Sequence, residues 1–132
     1  MPALDTNVLV RHLVQDDAAQ AAAAAALLRR AIDSGELLFV ALTVSLELEW
    51  VLRSRYRIGK DDVLGVFEGL LASRELRFQH EAVIEQALRL YQAGDADFAD
   101  CMHLAACLTE GHAPLLTFDR AACRLPGVQA VR

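Results

Sequence analysis

Leu37-Leu38-Phe39-Val40-Ala41-Leu42 is an unbroken apolar run held between Gly35 and Thr43. A strand with one wet face alternates apolar and polar residues, whereas a run without alternation needs cover on both faces, as strands of parallel sheets have. Working outward, the Ala-rich stretch from Ala18 to Ala26 continues through Leu27, Leu28 and Ile32 to Gly35, and reads as a helix closed by a C-terminal glycine. Helical periodicity also covers Asn7 to Val14, Val44 to Tyr56, Asp61 to Ala72, Glu81 to Ala93 and Phe98 to Glu110. Ala3 to Asp5 and Pro114 to Thr117 offer two further short strands. Strands alternating with helices predict an α/β fold in which a mainly parallel central sheet is layered by helices on both sides. No linker, repeat or composition break interrupts the chain, so residues 1–132 are expected to form a single domain.

With 132 residues, 55% of them hydrophobic, the chain can bury a core without disulfides. Cys101, Cys107 and Cys123 are an odd set without paired spacing, which suits buried thiols in a reducing cytoplasm. The segment from Met1 to Asp5 has no basic region followed by an apolar core. The longest apolar stretch, Ala21 to Leu28, falls far short of the ~18 residues a membrane span requires. A cytoplasmic protein without membrane association is expected. The net charge of −5 argues against nucleic-acid binding by bulk positive field, but carboxylates that hold metals contribute to that count, and their site attracts phosphate once cations occupy it.

Ligands of parallel sheets bind beyond the carboxyl ends of the strands, and that edge is where the acids fall. Asp5 ends the first strand, and Asp119 lies just past Leu115-Leu116. Glu47 and Asp100 lie on helices that begin just after strand-like or loop segments. Each has a plainer reading: Asp5 or Thr6 caps the next helix, Asp97 and Asp100 take the N-cap and N3 positions of another, and Asp119 is a turn residue paired with Arg120. Glu47 and Glu49 contrast. Glu49 has Arg53 four residues later and reads as a solvated pair; Glu47 lies beside the apolar stripe of Val44, Leu48 and Leu52, with no cation in its own turn. Carboxylates ~4 Å apart repel by about 4 kcal/mol at an effective dielectric of 20, so a set gathered at one edge requires protons or cations. Oxygen ligands without paired Cys/His spacing favour Mg²⁺ or Mn²⁺ over zinc.

Taken in order, Leu4-Asp5-Thr6-Asn7-Val8-Leu9, Glu47-Leu48-Glu49-Trp50-Val51-Leu52, Asp97-Phe98-Ala99-Asp100 and Thr117-Phe118-Asp119 resemble the PIN domain, and within it most closely the VapC toxins of type II toxin-antitoxin systems. The resemblance spans nearly the whole chain. It implies a three-layer α/β/α fold and an Mg²⁺- or Mn²⁺-dependent endoribonuclease with catalytic, metal-holding acids at Asp5, Glu47, Asp100 and Asp119. Asp97 is an additional acid for the metal, and Thr6, Asn7 and Thr117 are supporting polar residues. It also implies an RNA substrate, a homodimer and inhibition by a small VapB-like antitoxin.

Arg53, Arg55, Arg57 and Lys60 form the one dense basic cluster and are the candidate RNA contacts, placed at the C-terminal end of the Glu47 helix. His12, His80, His103 and His112 show no paired spacing and receive no catalytic role. Trp50 and Phe67 are read as core or interface residues rather than base-stacking platforms. Two rivals stand beside the nuclease: a catalytically silent PIN-like subunit that binds RNA or protein, and an acid-cluster phosphatase or phosphoacceptor. The latter lacks the second Asp two residues after its first-strand acid.

Overall fold

The computed structural model describes residues 1–132, which form two compact units, Met1–Gln79 and His80–Arg132. The first unit begins with α1 (Thr6–Val14) and α2 (Ala18–Ser34), followed by β1 (Leu38–Val40), α3 (Leu42–Ser54), α4 (Lys60–Leu71) and β2 (Leu76–Phe78). β1 pairs in parallel with β2, placing Leu38 opposite Leu76 and Val40 opposite Phe78. On its other side β1 takes a parallel bridge from Phe39 to Ala3, closed by Leu4 N–H to Phe39 O at 2.9 Å and Phe39 N–H to Pro2 O at 2.8 Å. The central run is therefore flanked on both edges, and Leu38 and Val40, which share one face of it, are fully buried.

The Ala-rich helix behaves as its composition requires. Ala24, Leu28 and Ala31 form its only buried stripe, a spacing of four and three residues, and Gly35 ends it at φ 72°, a left-handed conformation open to glycine without steric cost. Asp17 supplies its N-cap, accepting from Gln20 N–H at 3.0 Å. α1 packs on both α2 and α3. The unit's fully buried residues include Leu9, Leu48, Leu52, Val63 and Phe67.

The second unit contains α5 (Glu81–Ala93), α6 (Phe98–Thr109), β3 (Leu115–Thr117), a 3-10 turn (Ala122–Arg124) and β4 (Val128–Ala130). α5 buries Val83, Ile84, Ala87 and Tyr91, and α6 buries Phe98, Cys101, Met102, Leu104 and Ala105. The two helices pack together, with the Tyr91 and Phe98 rings edge to face at 5.4 Å. β3 and β4 pair in parallel. Gly127 reaches β4 at φ 94°, a left-handed conformation open to glycine without steric cost.

The α/β class and the parallel pairing are as expected. The helices match within about two residues, but the strands differ from expectation. The apolar run supplies a strand only from Leu38 to Val40, and Leu42 already begins α3; Ala3–Asp5 contributes a single bridge. Neither β2 nor β4 is expected from the sequence. Leu76-Arg77-Phe78 and Val128-Gln129-Ala130 are three residues each with a polar residue in the middle, too short for a period of two to register against their surroundings. No helix is long and apolar enough to cross a membrane.

Candidate active site

The first unit carries Asp5 and Glu47. Asp5 follows the strand-like segment and stands at the N-cap of α1, yet its carboxylate makes no cap hydrogen bond and is exposed. Capping therefore accounts for its position but leaves its oxygens unused. Thr6, the first residue of α1, is buried, and its hydroxyl donates to Glu47 Oε1. That bond ties the start of α1 to the middle of α3 and holds one oxygen of an otherwise exposed carboxylate. Asp5, Thr6, Asn7, Glu47, Trp50, Val51 and Arg55 line a cleft of about 280 Å³. A second groove of about 320 Å³, between α1 and α2, contains no carboxylate among its lining residues.

The second unit carries Asp97, Asp100 and Asp119. Asp97 is the N-cap of α6 without a side-chain cap bond, and Asp100 lies in the first turn. The helix dipole favours carboxylates at both positions. Asp100 nevertheless has its pKa raised above the ordinary carboxylate value, first by desolvation, then by repulsion from Asp119, with His103 opposing and Asp97 adding to the repulsion. Asp100 thus senses the charge of both Asp119 and Asp97. Asp119 is fixed by its turn: its N–H donates to Thr117 Oγ1 at 3.0 Å, and its Oδ1 accepts from Ala122 N–H at 2.8 Å. Its expected partner Arg120 is replaced by that backbone amide, because the chain turns directly into the 3-10 segment.

Three expectations on α3 change. Glu49 is not a solvated charge: it is 2% exposed, and its pairing with Arg53 at 2.7 Å joins a buried carboxylate to a half-exposed guanidinium. Glu47, expected beside the core, is exposed and points to the cleft. The ~100° step per residue separates the two as anticipated, but α3 is covered on the face that Glu49 occupies. Of the two residues read as core or interface, Phe67 is core, whereas Trp50, 54% exposed, lies outside the core. Trp50 lies three residues from Glu47, a helical spacing that could have marked it as a neighbour of the acid. The basic cluster is also divided. Arg53 is held by Glu49, Arg55 is the C-cap of α3 and lines the cleft, Arg57 follows at φ 53°, and Lys60 begins α4 rather than ending α3.

Every acid here offers oxygen alone, the donor type of hard divalent cations. The repulsion that Asp119 and Asp97 add at Asp100 is a condition a cation would relieve, so the donor chemistry of these acids suits Mg²⁺ or Mn²⁺. No group of three or more His, Cys, Asp or Glu side chains stands at metal-holding geometry in the structure.

The family model described as PIN domain matches residues 3–128. Among curated proteins, the chain is similar to a VapC ribonuclease of Aquifex aeolicus (strain VF5), 28% identical over 86 residues that make up 65% of this chain and 64% of that protein. The match thus spans a little under two thirds of the length of that relative.

Proposed function

We propose a function on the premise that this chain belongs to the PIN domain family: it is a divalent-metal-dependent endoribonuclease of the VapC type, the toxin of a toxin-antitoxin pair. In this reading residues 1–132 act as one domain in the cytoplasm, working as a homodimer and inhibited by a small VapB-like antitoxin. Asp5, Glu47, Asp100 and Asp119 hold Mg²⁺ or Mn²⁺, with Asp97 as an additional acid. The observation that carries the reading is that Asp5 and Asp97 stand at helix N-caps without spending their carboxylates on cap bonds, while Asp100, in the first turn of α6, is destabilised as an anion first by desolvation and then by Asp119 and Asp97. Acids so arranged raise the energy of the metal-free site.

A divalent cation would activate water and stabilise charge on the phosphodiester. The chain's own residues do the rest. Thr6 donates to Glu47 and fixes its orientation, the N-termini of α1 and α6 suit the negative charge of Asp5 and Asp97, and Thr117 with Ala122 N–H fixes the turn that presents Asp119. Arg55 and Arg57 offer positive charge for the RNA backbone.

The testing experiment incubates purified protein with structured and unstructured RNAs in Mn²⁺ and in EDTA. Cleavage in Mn²⁺ and none in EDTA is expected; equal cleavage in both, or none in either, rejects the reading, the second outcome favouring a silent binding subunit. Glu47→Gln and Glu49→Gln separate site from scaffold. The first should lower cleavage by about 100-fold with little change in Tm, since ligand-shell losses are of this order. The second should lower stability by about 1–3 kcal/mol through the buried pair it weakens. Thermal denaturation beside the cleavage assay checks both, and reversed behaviour would transfer the site role to Glu49.

A further inference from the structure

The most exposed aromatic surface of the first unit is Trp50, 54% accessible on α3 although its neighbours Val51 and Leu52 are buried. A single exposed aromatic is ordinary on a protein surface, so its setting decides what it can do. Trp50 does not stand in isolation. It lines the cleft of about 280 Å³ with Asp5, Asn7, Glu47 and Arg55, and Arg55 is the only cation among the lining residues. An exposed aromatic and a guanidinium lining one cleft are groups that single-stranded nucleic acid uses, because stacking takes the base while the positive charge takes the backbone. The cleft volume of about 280 Å³ falls just below the roughly 300–1,000 Å³ of ligand pockets, which leaves room for no more than one nucleotide unit.

We propose that Trp50 and Arg55 form a single-nucleotide subsite for single-stranded RNA, the indole stacking on a base and the guanidinium holding an adjoining phosphate. The subsite rests on the endoribonuclease reading and deepens it: it gives the enzyme an unpaired substrate and places the recognised nucleotide beside Asp5 and Glu47. Arg53, held by Glu49, is not part of it. Stacking tolerates any base, so this subsite favours flexible single strands over a particular letter.

Trp50 is the chain's single tryptophan, so its fluorescence reports this position alone. A short mixed-sequence single-stranded RNA is titrated into the Asp100→Asn protein, which spares the probe from cleavage, with RNA binding followed in parallel by anisotropy of a labelled strand. Saturable quenching by RNA and none by inorganic polyphosphate is expected. Trp50→Ala should weaken binding about tenfold, Trp50→Phe less, and Arg55→Ala should reduce the slope of log affinity against log salt by about 0.7. Circular dichroism confirms that the variants are folded; the exposure of both side chains makes this the expected result. RNA binding with unchanged Trp50 emission overturns the subsite and leaves the endoribonuclease reading standing, as does equal quenching by polyphosphate. Neither binding nor cleavage of any RNA overturns both.

Discussion

Asp100→Asn is expected to lower RNA cleavage by about 100-fold or more and, in metal-free buffer at neutral pH, to raise Tm. The first effect follows from the metal-holding role proposed for Asp100, since the variant loses the charge on that carboxylate. The second follows from the state of the metal-free site. In the folded protein the Asp100 carboxyl sits above its ordinary value of 3.8, because of desolvation and repulsion by Asp119 and Asp97. Between that value and the raised one, the folded chain holds a proton that the unfolded chain has released. Above the raised value both states are ionised, and the folded state carries the full cost of the charge. The wild-type protein therefore loses stability as pH rises through this window, and the Asn variant does not. Below the ordinary value both states are protonated and the two proteins should converge. Thermal scans of both proteins from acid to neutral pH, with a cleavage assay in Mn²⁺, check the pair of effects. A lower Tm for the variant at neutral pH would show that the carboxylate is stabilising, and retained cleavage would remove Asp100 from the site.

Phe98→Ala should cost about 3–5 kcal/mol, a large share of the roughly 5–15 kcal/mol that holds a domain together. Phe98 is fully buried at the first position of α6, with its ring edge to face on Tyr91. Its neighbours in sequence are the acids: Asp97 precedes it, and Asp100 follows two residues later. The ring thus anchors the helix start that presents both carboxylates, and truncation leaves a cavity beneath them. Tm should fall by about 10 °C or more, given the few degrees per kcal/mol of a chain this size. Cleavage should fall even at temperatures where the variant remains folded. Phe98→Leu, which fills most of the volume, should recover most of both losses. A fully active, fully stable Phe98→Ala protein would mean that packing at this point does not position the acids.

Local chemistry makes several features legible in the amino-acid sequence alone. Gly35 has to close α2, since a left-handed residue is needed where an Ala-rich helix stops, and its φ is 72°. Glu81–Ala93 is readable to the residue because its apolar positions recur on one face. Asp5, Asp97 and Asp100 are readable as helix-start acids from their place ahead of apolar runs, and the family match extends across the same motifs. These are signals carried by neighbours within one or two turns.

Burial is different. Both Glu47 and Glu49 lie on α3, and the sequence by itself determined only that they face different directions, from the ~100° step. Which direction is covered depends on what packs against the helix, so local pattern puts the exposed acid and the buried one the wrong way round. Trp50 shows the same dependence: hydrophobicity alone does not separate core from surface, and the structure leaves it 54% exposed in a cleft. β2 and β4 need partners too, because three residues become a strand only when β1 or β3 supplies their hydrogen bonds. The acids themselves follow that division: the sequence determined which carboxylates stand ahead of which helices. Tertiary structure decided that Thr6, 41 positions away in sequence, holds Glu47, and that Glu49 rather than Glu47 is the buried acid of α3. The first kind of fact depends on spacing along one chain segment. The second depends on groups far apart in sequence excluding water from one another, which no local pattern encodes.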